Sequence, residues 1–287
     1  MLARDLAFLN DYVQFGFMNH IIAALAIYQV GVHPDQAAAG VRELMEGIDP
    51  DAAKRMVDDL NDGARVQRVA LARLYAELTA SVEDLGALCH SIQYRDADGI
   101  FKRYVRSSTG QAAQFFDHVL ACPEEDLGQI LKIPSLDALQ GTLPPDTYKP
   151  LEHHYRAFAD ALAKIAVMYR RIGVFDELTA GMALSPQAYD DEFHIILDVI
   201  DADGKEQGAS AGAMARSYNK IKHRFTVMES LDVLIAALTP TMRIPYDHKS
   251  ITPDAARVHL LDTVGVVRAT GEVASLLIVL QEAGLVV

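Results

Sequence analysis

Tryptophan is absent from the 287 residues, cysteine occurs twice, and aromatic residues make up only 7%. Neither Cys89 nor Cys122 stands in a Cys-x-x-Cys or zinc-finger spacing, so a disulfide-stapled secreted fold is not indicated. Both read as reduced, partly buried thiols. Clean apolar runs are missing too. The two most apolar windows, Val13–Val32 and Val264–Val287, are broken by Gln14, Asn19, His20 and Gln29, and by Arg268, Glu272, Gln281 and Glu282. A membrane span needs about 20 predominantly apolar residues. Both windows are therefore expected as buried core helices, and no membrane partner is expected. The N-terminus lacks the basic, apolar, small-residue order of a secretory signal. The expected location is the cytoplasm. Basic charge is also scarce: the formal net charge is -13, which argues against a general nucleic-acid coat but leaves room for one basic groove. P-loop, dinucleotide, nucleophile-elbow and Ser-His-Asp patterns do not occur, and no cofactor is expected.

What is present is helical periodicity. Leu2–Val30 reads as one long helix ended by Gly31 and His33-Pro34, followed by helices from Pro34 to Gly47 and from Asp49-Pro50-Asp51 to Leu60. Asn61-Asp62-Gly63 marks a turn. Ala64–Tyr94 has helical spacing throughout, with Val66, Val69, Leu74, Leu78, Leu85 and Leu88 on its apolar side. Asp96–Gly99 breaks the chain, Ser107-Ser108-Thr109 starts a further helix, and Pro123–Asp126 reads as an acidic first turn. Residues 133–150 are the most loop-like, and Leu151–Ile172 and Thr252–Glu282 are helices. Asp190–Val199 reads as a helix or a strand, and 241–251 as a short β-hairpin or a loop. The expected fold is an all-α multi-helix bundle, with minor strands at most near 200 and 241–251. It is read as one helical unit over 1–287. A subdivision, if present, separates an N-terminal region 1–133 from a helical region 150–287.

One local absence stands out. No Asp or Glu occurs between Glu206 and Glu229. Within that gap Met214, Tyr218, Ile221, Phe225 and Met228 recur at helical spacing, opposite Arg216, Asn219, Lys220 and His223. Arg216 and His223 lie two turns apart, about 10 Å along one face. An imidazole there can exchange a proton with a ribose 2′-hydroxyl or a leaving oxygen, while a guanidinium holds the phosphorus oxygens. Lys222 and Arg224 add positive charge for a nucleic-acid backbone. Composition alone is more simply met by an ordinary solvated helix face, which shows cations opposite an apolar stripe.

The Arg216-x6-His223 spacing, with Tyr218-Asn219-Lys220-Ile221-Lys222-His223, resembles the Arg-x4-6-His signature of the HEPN superfamily. The resemblance implies an HEPN-like helical C-terminal half. It also implies a metal-independent endoribonuclease acting in a defence or toxin–antitoxin system, with His223 as acid or base and Arg216 as the phosphate-stabilising group. Asn219 and Lys220 would support them. A homodimer that joins both subunits' Arg and His in one cleft, RNA as substrate, and an antitoxin or complex subunit as partner follow from the same resemblance. The alternative is a non-catalytic interaction module that docks a partner or nucleotide on the same face.

Four other groups of polar residues are open to both a functional and a structural reading. Lys102, Arg103 and Arg106, interleaved with Phe101 and Tyr104, fit a nucleic-acid track or a helix end with snorkelling side chains. Asp190, His194 and Asp198 share a helix face without an accompanying Glu-x-x-His pair, so no metal site is expected there. Glu83-Asp84 and His153-His154 are adjacent residues that diverge by about 100° on a helix, which argues against joint action on one atom.

Overall fold

The computed structural model describes residues 1–45, 47–122, 124–181 and 253–285. Every regular element among them is helical. In order these are α1 (Ala3–Asp11), a π-helical turn (Tyr12–Gly16), α2 (Phe17–Val32), α3 (Pro34–Met45), α4 (Pro50–Asn61) and α5 (Gly63–Gln93). They continue with α6 (Gly99–Arg106), α7 (Thr109–Ala121), α8 (Leu127–Leu131), α9 (Leu136–Gln140), α10 (Pro145–Gly181) and α11 (Pro253–Glu282). The all-α architecture is that expected from the periodicity. The segments read at 190–199, 214–228 and 241–251 lie outside the described residues.

The 31-residue α5 is the axis. Helices α2, α7 and α11 pack along it, and α10 closes against α11. One buried cluster draws on Leu9, Leu85, Leu88, Phe115, Phe116, Leu131, Phe158, Leu162, Leu276 and Leu277. It therefore takes residues from both sides of the loop-like region 133–150. That region is shorter than expected: α9 lies inside it, and α10 begins at Pro145, the first helical position, where a missing N–H costs least, and runs on through Pro150 inside the helix.

Close approach explains two glycines better than helix breaking does. A Cβ at Gly86 would lie 2.7 Å from the Ala112 carbonyl oxygen and 2.9 Å from the Phe116 ring, so α5 and α7 meet there backbone to backbone. Gly31 was expected to terminate its helix. It sits within α2 instead, where a Cβ would come 2.6 Å from the Cβ of Ala70 on α5.

Local signals set most of the boundaries. The Asp49 side chain accepts from the Ala52 N–H at the start of α4, and Ser108 and Gln111 form a capping box on α7. The acids of Pro123–Asp126 do not form a first helical turn. Asp126 is the N-cap of α8, its carboxylate accepting from the Gln129 N–H at 2.8 Å, and Glu125 precedes the helix. The Gly128 N–H donates to the Tyr155 hydroxyl at 2.8 Å, which ties α8 to α10.

The two apolar windows differ from expectation in one respect. Both Ala3–Val32 and Arg257–Glu282 are long and apolar enough, by length and composition, to cross a membrane. The second is 56% buried in the bundle, but the first only 12%. Phe15, Met18, Ile22 and Leu25 are exposed along one side of the first. The window Val13–Val32 is thus not the buried core helix its composition suggested.

Candidate functional site

Arg216, Asn219, Lys220, Lys222, His223 and Arg224 all lie outside the described residues, as do Asp190, His194 and Asp198. The second expected cationic cluster is described in full. Helix α6 starts at Gly99, whose φ of +80° is a left-handed conformation that suits glycine. The buried carboxylate of Asp5 on α1 accepts from the Phe101 N–H at 2.9 Å, capping α6 from a distant part of the chain. This fixes α6 over the loop Asp96–Asp98. Lys102 pairs with Asp98, Arg103 with Asp96 at 2.7 Å, and Arg106 with Asp98 at 3.3 Å. Arg4 donates to the Asp98 carbonyl oxygen.

The carboxyls respond accordingly. That of Asp96 is held below the usual range by the Asp98 N–H it accepts from, and further by Arg103. That of Asp98 is lowered chiefly by its hydrogen bond from Lys102. The aromatic residues between the cations are occupied as well. Phe101 and Tyr104 pack against Phe8 with tilted rings, their centroids 5.4 and 5.0 Å from its own. Lys102, Arg103 and Arg106 thus spend most of their charge on two aspartates of their own approach loop.

A group of titratable side chains gathered around His20 lies outside the expectations from sequence. His20 of α2 lies between two carboxylates of α5, with Nδ1 3.2 Å from Glu77 Oε2 and Nε2 3.2 Å from Asp84 Oδ2. Tyr104 donates to Asp84 Oδ1 at 2.7 Å and Tyr12 to Asp84 Oδ2 at 3.3 Å. The hydrogen bonds to Asp84 and Glu77 raise His20 to about 9, against the opposing effect of burial. It is therefore an imidazolium at neutral pH, donating from both nitrogens. Burial, reinforced by Asp84, pushes both tyrosines up. The π-helical turn supplies Tyr12 next to this group; such turns often mark functional positions. Each of the five side chains is engaged by another of the group. The network stitches α2, α5, α6 and the π turn together, with a cation at its centre. Sequence offered a faint signal: His20 interrupts an apolar window, and Glu77 and Asp84 lie seven residues apart on one face of α5.

Two further clusters carry metal-ligand chemistry. His153, His154 and Glu272 bring their donor atoms within 4.8 Å of one another. The His154 Nδ1 lies 2.8 Å from Glu272 Oε2, and the two imidazoles meet edge to face at 5.3 Å. The expected divergence of His153 and His154 is corrected here. Their backbone bonds diverge, but side chains of this length lean together above the helix surface. Glu272 also faces Arg268 at 3.8 Å and lines a cleft of about 400 Å³ between α10 and α11. The other cluster is His118, Cys122 and Glu125, at the end of α7.

Comparison with protein families, with curated proteins and with solved structures returns no match to this chain.

Proposed function

We propose that this helical protein is an HEPN-like endoribonuclease that cleaves RNA without a metal ion, with Arg216 and His223 at its centre. One observation carries the reading. A strongly acidic chain reserves the interval between Glu206 and Glu229 for cations alone, and within it spaces Arg216 and His223 two helical turns apart. In the reaction His223 takes the 2′-hydroxyl proton as that oxygen attacks the adjacent phosphorus. The bond to the 5′-oxygen breaks, leaving a 2′,3′-cyclic phosphate, and the departing oxygen takes up a proton. Arg216 neutralises the charge that builds on the phosphoryl oxygens. Asn219 and Lys220 hold the phosphate, and Lys222 and Arg224 hold the flanking backbone. The all-helical class of the described residues suits the resemblance. The proposed setting is a cytoplasmic homodimer in a defence or toxin–antitoxin system, with an antitoxin or complex subunit as partner.

A second reading is favoured by the pairing of Lys102, Arg103 and Arg106. With Lys102, Arg103 and Arg106 sharing Asp96 and Asp98, most of their charge is offset, and the cluster adds little to the positive surface on which RNA affinity depends. A module that docks an acidic protein on 214–228, with no cleavage, needs no such surface. Incubating end-labelled RNA in EDTA with wild type and His223→Ala separates the two. Cleavage by wild type alone supports the nuclease. Intact RNA in both lanes, with no binding at low salt, removes it and leaves the docking module.

A further inference from the structure

We propose that His118, Cys122 and Glu125 form a site for a zinc-class divalent cation at the C-terminal end of α7. The inference is independent of any ribonuclease activity.

The site is built by backbone structure before any ion is considered. His118 and Cys122 are one helical turn apart and share a face. The Cys122 N–H closes the last turn by donating to the His118 carbonyl oxygen at 3.0 Å, and the Glu125 N–H donates to the Cys122 carbonyl at 3.1 Å. That reverse turn carries the chain back over the helix end, placing Glu125 Oε2 3.0 Å from His118 Nε2. Asp126 then caps α8. The three donors are thus fixed between the end of one helix and the start of the next.

Donor chemistry and spacing fit the ion. Imidazole, thiolate and carboxylate are all ligands of zinc, at about 2.0–2.3 Å. Around a tetrahedral centre such lengths put ligand atoms about 3.3–3.8 Å apart. His118 and Glu125 are hydrogen-bonded to each other at 3.0 Å, a contact that a bound ion would replace, and all three donor atoms lie within 4.8 Å of one another. Side-chain torsions can close the remainder. Charge balances as well: one thiolate and one carboxylate neutralise a dication, with His118 neutral. Binding forms a metal–sulfur bond and releases the thiol proton to solvent. The carbonyl end of α7 gives a cation further favourable potential. His118 and Glu125 side chains are each 37% exposed, so an ion can enter and a fourth position faces water. The cluster at His153, His154 and Glu272 fits less well, because it lacks a thiolate and Arg268 stands beside its carboxylate. The other cysteine, Cys89, is fully buried, and burial pushes its thiol up, which makes it inert.

The test is a titration of the folded full chain with Co²⁺ followed by displacement with Zn²⁺. Expected are one equivalent of Co²⁺ with a thiolate–cobalt charge-transfer band, bleached by Zn²⁺, abolished in Cys122→Ser and retained in Cys89→Ala. Glu125→Gln, which changes a half-exposed side chain, should weaken binding by at least about tenfold, the loss that even outer-shell changes produce. Circular dichroism checks that each variant keeps its helices. Absence of the band in wild type, its persistence in Cys122→Ser, or undiminished affinity in Glu125→Gln would each overturn the site.

Discussion

Two cationic, aromatic-bearing runs occur in this chain, and they differ in what stands next to them. Lys102, Arg103 and Arg106 follow a loop with Asp96 and Asp98, and the folded protein pairs the cations with those aspartates. The run from Arg216 to Arg224 has no acid from Glu206 to Glu229. Counting lysines and arginines separates them only as three against four. What distinguishes them is whether a carboxylate lies within a helical turn or two, because a cation already paired has little attraction left for phosphate. A basic stretch indicates a site only when its own neighbourhood does not neutralise it. His20 is paired differently, held by Glu77 and Asp84 from a helix far along the chain, which no reading of its own neighbourhood reveals.

The largest effect expected is on the run without acids. His223→Ala should lower RNA cleavage by about 10²–10⁴-fold, the range for losing a positioned general acid or base. Arg216→Ala should cost about 10²–10³-fold, as for losing a group that stabilises developing charge. Single-turnover cleavage in EDTA reads both. Next comes the partly buried pairing of His20. A folded-state pKa of about 9 against an ordinary 6.5 means that its stabilisation is complete below about 6.5 and is lost as pH rises through about 9. The loss should amount to roughly 2–3 kcal/mol, allowing for partial screening. Urea unfolding of wild type across that window checks it, and His20→Gln should flatten the dependence.

A smaller effect would break the comparison on purpose. Changing Asp96→Asn together with Asp98→Asn releases Lys102, Arg103 and Arg106, and should create weak, salt-sensitive RNA binding at α6, measurable by anisotropy at low salt. Smallest of all, Lys102→Ala, Arg103→Ala and Arg106→Ala in one protein should leave RNA affinity unchanged. Because these pairs are partly solvent-exposed, stability should shift by no more than about 1 kcal/mol. A marked loss of RNA binding in that variant would show that α6 is a contact surface after all.

Much of the scaffold was legible because helix signals are local. The span of α5 and both ends of α11 follow from periodicity and from Pro253, and Ser108 and Asp49 cap where their residue types suggest. The misreadings share a cause. Gly31 looked like a helix stop because sequence does not show Ala70 lying against it. Ala3–Val32 and Arg257–Glu282 have similar mean hydropathies of 1.5 and 1.6, yet 12% and 56% burial. Composition sets how much a helix gains by leaving water, and the neighbours decide whether it does. Helix α11 is packed by α5, α2 and α10, whereas α2 presents Met18, Ile22 and Leu25 to the outside. The His20 network and the His118, Cys122 and Glu125 group were illegible for the same reason. The first joins residues from distant helices, and the second depends on a reverse turn that was read as helix.

The most direct measurement is photocrosslinking of thiouridine-substituted RNA to the wild-type protein, with the attached peptides mapped by mass spectrometry. Both cationic runs carry aromatic side chains able to react, so one experiment compares them under one condition. Crosslinks confined to peptides containing Tyr218 or Phe225 are predicted. Crosslinks at Phe101 or Tyr104 instead, or none at all, would contradict the assignment of 214–228 as the RNA-contacting stretch.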